Sequence, residues 1–134
     1  MIGREGQAMN KFYHSKAPGR VAKGRPKTEP GTMNGTEKQY AEMLEVKRQG
    51  GEVLWYAYES VKLRLADKTF LTVDFFVMND AGELEAHEVK GGFWEDDARV
   101  KMKVAASMYP FRFIAAQKLP KKKGGGWKVE EFKA

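Results

Sequence analysis

The chain has 134 residues, of which 42% are hydrophobic and 12% aromatic, with a net charge of +6 and no cysteine. That length supplies one core and is too short for two, and the aromatic content excludes wholesale disorder. Without cysteine there is neither a disulfide framework nor a thiolate metal site. No apolar run approaches the roughly 20 residues of a membrane span, and the N-terminus lacks the apolar core of a signal peptide, so a soluble cytoplasmic protein is expected.

Charge is divided unevenly. Residues 1–36 carry a net +5, residues 37–117 a net −3 and residues 118–134 a net +4. Basic arms of this kind neutralise phosphates and give salt-sensitive nucleic-acid binding, or else serve only as solubilising tails. The acidic centre between them is the more informative part, because carboxylates repel phosphate unless a cation stands between them.

In chain order, residues 1–33 are rich in Gly, Pro, Lys and Arg, with no hydrophobic period, and read as a flexible basic arm in which Arg20 and Arg25 are candidate phosphate contacts. A helix is predicted from Thr36, with Thr36 and Gln39 as a capping box and Gly50-Gly51 as the stop. Its apolar stripe of Tyr40, Ala41 and Leu44 includes Glu37, a carboxylate aimed at the body of the domain or simply favoured by the helix dipole. Residues 53–56 and 61–65 read as strands, the second alternating cleanly. Ala66-Asp67-Lys68 turns into an apolar strand over 70–78 that contains one charge, Asp74. Asn79-Asp80-Ala81-Gly82 is a turn, and the strand 83–90 puts Leu84, Ala86, Glu88 and Lys90 on one face.

A second helix is predicted over 97–108, capped by Asp96 or Asp97, with Val100, Val104, Ala105 and Met108 as its buried stripe and Pro110 beyond its end. Residues 111–116 form a fourth strand. Lys121, Lys122 and Lys123 with Gly124-Gly125-Gly126 read as a basic flexible loop, and 127–132 as a possible short strand. The fold class is therefore α/β, in the order αβββαβ, with a mixed central sheet flanked by helices. The organisation is an arm (1–33), a core (34–117) and a basic tail (118–134).

The chemistry centres on Asp74, Glu88 and Lys90. A lone carboxylate in an apolar strand needs a partner or a ligand. The following hairpin brings Glu88 to it, and two facing carboxylates point to a bound cation. All-oxygen donors favour a hard ion such as Mg²⁺, with Mn²⁺ as the expected substitute. Lys90 is placed to orient an attacking water and to neutralise charge developing on a scissile phosphate. Glu37 is expected to reach the metal through water or to complete a second metal position. Glu-x-Lys alone is a common surface pair; its order and setting, after a helix Glu and an apolar strand Asp, carry the weight.

This Asp74…Glu88-x-Lys90 signature resembles that of the PD-(D/E)XK nuclease superfamily. The stretch 34–116 is similar to phage-type endonuclease I, a family of Holliday-junction resolvases. The similar segments are Asn34-Gly35-Thr36-Glu37, Thr72-Val73-Asp74-Phe75, Glu88-Val89-Lys90-Gly91 and Phe93-Trp94-Glu95-Asp96-Asp97-Ala98-Arg99, followed by Tyr109-Pro110. The segment Tyr109-Pro110-Phe111-Arg112-Phe113 also resembles small phage proteins of the superfamily. The resemblance implies a restriction-endonuclease-like core that cuts branched or duplex DNA. It makes Asp74 and Glu88 metal ligands with the Val89 main-chain carbonyl, Lys90 the catalytic lysine and Glu37 the helix carboxylate. It further implies a phage or prophage origin and, since a junction needs two cuts, a homodimer. Val73 departs from the proline of the motif's name, and the long basic arm departs from the family pattern. The alternative from another class is a catalytically silent DNA-binding protein that works through its basic arms.

The remaining candidates have plainer readings. His87 points away from Glu88 and Lys90 by strand alternation. Trp55, Tyr56 and Tyr58 are expected in the core or on the sheet face, and Phe93 and Trp94 to staple the second helix. Gly91-Gly92 permits a tight turn. Lys101 and Lys103 are a solvated face, or phosphate contacts if their helix borders DNA. Glu59 is left undecided.

Overall fold

The computed structural model describes residues 32–133. The sequence predictions for the arm, including Arg20 and Arg25, fall almost entirely outside these residues. Helix α1 spans Gly35–Gln49, followed by strands β1 (Val53–Ala66), β2 (Thr69–Asn79) and β3 (Leu84–Lys90). Helix α2 (Asp96–Met108), β4 (Arg112–Lys118), a 3₁₀ turn at Lys121–Lys123 and β5 (Trp127–Phe132) complete the chain. The sheet order is β1-β2-β3-β4-β5, with β3 and β4 parallel and every other neighbouring pair antiparallel. The fold is thus α/β with a mixed sheet. Among the described residues no helix is long and apolar enough to cross a membrane.

The two helices cover opposite faces. Tyr40, Ala41 and Leu44 of α1 pack with Tyr56, Tyr58, Phe75, Val77, Val89 and Ala116. Met102 and Ala105 of α2 pack with Leu63, Leu71, Val73, Phe76, Ala86, Phe113 and Ala115. The period of two explains the division, since Phe75 and Phe76, or Ala115 and Ala116, face opposite ways.

Three local details differ from the sequence reading. First, β1 is one strand running through a bulge. Tyr58 pairs with Phe75 and Val61 with Val73, so Glu59 and Ser60 together oppose Asp74, and Glu59 takes a φ of 47°. Second, the N-cap of α2 is Glu95, and its buried side is Met102 and Ala105. Val100, Val104 and Met108 remain exposed. Apolar residues fit either of two adjacent stripes on this helix, and the alanine-bearing one lets it lie close to the sheet. Third, Lys121–Lys123, expected as a flexible loop, form a 3₁₀ turn flanked by a hydrogen bond from Leu119 N–H to Gly126 O at 2.9 Å; the strand expected over 127–132 is present as β5, paired along β4.

The turn at Asn79 is as expected, and its cause is explicit. The Asn79 side-chain oxygen accepts from the Ala81 and Glu83 amides, each at 2.9 Å, and Gly82 takes a φ of 82° that only glycine adopts freely.

Candidate active site

The β2–β3 ladder ends at Phe75 and His87. The next pair in register would be Asp74 and Glu88, and there the strands part. Val89 N–H donates to Asp74 Oδ2 at 2.8 Å rather than to a strand carbonyl. Asp74 therefore sits at a break: the bulge in β1 faces it on one side, and the gap to β3 opens on the other. The side-chain alternation of β2 changes phase there too, Leu71 and Val73 facing α2 while Phe75 and Val77 face α1.

Glu88 follows on β3, buried, with Oε1 lacking any hydrogen-bond partner. Burial, and then the charge of Glu88, pushes the Asp74 carboxyl well above the usual carboxylate range. Burial also raises Glu88, with the charge of Glu37 adding to it and the Lys90 ammonium opposing. Lys90 Nζ stands 3.7 Å from Glu88 Oε2 and lies over the Trp94 ring. Two adjacent buried carboxylates with one partnerless oxygen are costly for an apo protein.

Glu37 approaches from the first turn of α1. The capping box is formed by Asn34 and Glu37, not by Thr36 and Gln39: Asn34 Oδ1 accepts from the Glu37 amide at 2.8 Å, and Glu37 Oε1 accepts from the Asn34 amide at 3.0 Å. Both pairs have the right spacing, and the loop's path into the helix selects the earlier one. The Tyr58 hydroxyl also donates to Glu37 Oε1 at 2.8 Å, and burial and that bond hold its proton firmly. Tyr58 is the residue that sequence reading placed merely in the core. The bulge at Glu59 turns it toward Glu37, and nothing in the local pattern announced that. Asn34→Ala is expected to cost about 1 kcal/mol, read as a melting temperature lower by roughly 4–8 °C. An unchanged melting curve would show that the box contributes nothing.

Glu88 and Lys90 line an open cleft of about 610 Å³ together with Phe70, Leu71 and Thr72 of β2, Phe93, Trp94 and the start of α2; Asp74 and Glu37 are not among its lining residues. Lys101 lines it as well, donating to Phe70 O at 3.1 Å. Lys103, two positions on, is exposed and outside the lining. Lys121, Lys122 and Lys123 are exposed beyond the end of β4, which runs parallel to β3, so they share the sheet end of Lys90. His87 lies on the α1 face, where Tyr40 OH meets its Nδ1 at 2.7 Å and Glu85 Oε1 its Nε2 at 2.8 Å. Arg112 and Asn79 extend that buried network through Glu85, away from the cleft.

Among the described residues no group of three or more His, Asp or Glu forms a ready cage for a metal ion. The donor set present is two carboxylates, Asp74 and Glu88, with Glu37 behind them. That suits an ion such as Mg²⁺, which takes one or two protein carboxylates and keeps several waters. The partnerless Glu88 Oε1 is the atom that such an ion would satisfy. No family model matches the chain, and neither a curated protein nor a solved structure matches it.

Proposed function

We propose that this protein is a metal-dependent endodeoxyribonuclease of the PD-(D/E)XK type, with a restriction-endonuclease-like core, acting on branched or duplex DNA as Holliday-junction resolvases do. The observation that carries this reading is the burial of Asp74 and Glu88 together where β2 and β3 part, with Lys90 beside them at a cleft open to a large ligand. Lys90 pairs with Glu88 Oε2 and the Val89 amide with Asp74, yet Glu88 Oε1 is buried without a partner, which a purely structural network would not leave.

Asp74, Glu88 and the Val89 main-chain carbonyl would hold Mg²⁺ or Mn²⁺, with Glu37 acting through water. Such an ion, when bound, supplies Lewis acidity and a bound water of lowered pKa. The protein's own groups do the rest. Lys90 orients the attacking water and offsets the charge that builds on the phosphate as the P–O bond to the leaving strand breaks. Asn34 and Tyr58 fix Glu37, so that its carboxylate stays ordered beside Asp74. Lys101 and Lys121, Lys122 and Lys123 would meet the phosphates flanking a cut, and Lys103, Arg20 and Arg25 would be further contacts. Paired cuts would require a homodimer, acting in the cytoplasm of a phage's bacterial host.

A cleavage assay tests the reading on a four-way junction, a linear duplex and a single strand, each with Mg²⁺ and with EDTA. The expected result is metal-dependent cutting, strongest on the junction. DNA binding without cutting of any of the three would favour a silent DNA-binding protein instead.

A further inference from the structure

Phe93 is 88% exposed, the most exposed large apolar side chain among the described residues, yet its loop is fastened on both sides. On one side Gly91 lies so close to α1 that a Cβ there would stand 3.1 Å from Thr36 Oγ1, and Gln117 Nε2 donates to Gly92 O. On the other, Trp94 packs edge-on against Phe132 at 5.9 Å, under the Arg99 guanidinium at 4.8 Å. Trp94 alone therefore staples α2, and Phe93 is left displayed in the cleft wall three residues after Lys90. Phe70 also lines the cleft and is 39% exposed, with Lys62 Nζ 4.7 Å from its ring centre. A phenyl ring displayed at the wall of a cleft offers apolar surface that a flat ligand can cover.

We infer that the cleft receives an unstacked nucleobase of the DNA strand, laid against Phe93 with Phe70 in the same lining, beside the phosphate addressed by Asp74, Glu88 and Lys90; this rests on the nuclease reading. The charges argue for a base rather than for backbone at this wall. Glu95 and Asp97 line it on the α2 side, and Glu95, although at the N-cap position, makes no cap hydrogen bond with its side chain. Carboxylates there repel phosphate but accept hydrogen bonds from the amino groups of bases. Lys90 and Lys101 in the same lining, with Lys62 at Phe70, supply the cationic track for the backbone. Aromatic rings interleaved with such a track bind unpaired strands without strict sequence preference. The substrate class that follows is DNA with unpaired or easily unstacked bases at the cut.

The test is fluorescence anisotropy of the full chain in EDTA, so that nothing is cut, on a duplex with a short mismatched bubble and on its fully paired counterpart. The wild type should prefer the bubble by about tenfold or more, the worth of one base–aromatic stack. Phe93→Ala should lose that preference while keeping its affinity for paired duplex, and Phe93→Trp should retain it. Equal affinity of the wild type for both DNAs, or a preference that survives in Phe93→Ala, overturns the inference even if the protein cuts DNA. A Phe93-dependent preference in a protein that never cuts leaves the inference standing and removes the nuclease reading. Failure to bind either DNA both in EDTA and with Ca²⁺ in place of EDTA overturns both.

Discussion

Asp74→Asn is expected to abolish DNA cleavage and, in the same molecule, to raise the melting temperature of the metal-free protein. The amide oxygen of asparagine still accepts the Val89 N–H that Asp74 Oδ2 now takes at 2.8 Å, so the local backbone stays as it is. What disappears is a buried carboxyl that must either carry its charge beside Glu88 or take up a proton at a cost in stability. Relief of that cost should contribute about 1–2 kcal/mol, a rise of roughly 4–16 °C on the scale used for Asn34. The pH dependence follows from the same shift. Since the folded carboxyl titrates above its unfolded value of about 4, the folded state holds more protons between the two values. Metal-free stability therefore falls as pH rises through that window and is greatest below it. The Asp74→Asn protein should show a shallower fall, measured by thermal melts in EDTA across pH. A lower melting temperature than wild type would mean that Asp74 is a structural group, satisfied as it stands.

Lys90→Ala is the second large effect, expected to slow single-turnover cleavage by about 10²-fold or more, the scale of losing one preorganised electrostatic contact. Lys90 Nζ stands 3.7 Å from Glu88 Oε2 and over the Trp94 ring, is partly exposed, and its charge also acts on Asp74. Its loss should leave the fold intact and metal binding unchanged or tighter, because an ammonium repels a neighbouring cation. Lys90→Arg should recover little, since a guanidinium is planar, always charged and too broad to replace a compact donor. A variant that loses metal and fold together would reduce Lys90 to a counter-ion of Glu88.

Much of this arrangement was legible before any coordinates. The alternation of β2 and β3 was strong enough to fix which residues of 83–90 share a face, and one charge in an apolar strand marked Asp74 for attention. What escaped depends on tertiary context. The Glu59–Ser60 bulge looks like two strands with a gap, because polar residues interrupt an apolar run in either case. That bulge is what brings Tyr58 to Glu37. Of the stripe expected on α2 Ala105 is buried, whereas Val100, Val104 and Met108 have the right spacing but stay exposed; only the sheet decides that Met102 joins Ala105 inward. Phe93 and Trp94 are neighbours of similar character in the sequence. The positions of Arg99 and Phe132, distant in sequence, make one of them a staple and leave the other exposed. The buried Tyr40–His87–Glu85 chain was invisible for the same reason, although strand alternation did send His87 to the far face.

Calorimetric titration of Mn²⁺ and Mg²⁺ into the wild type and into Asp74→Asn, run beside single-turnover cleavage, tests the metal assignment most directly. Saturable binding by the wild type that is lost together with cleavage in Asp74→Asn is the predicted result. Equal metal binding by the two proteins, or cleavage by the variant within tenfold of wild type, would contradict it.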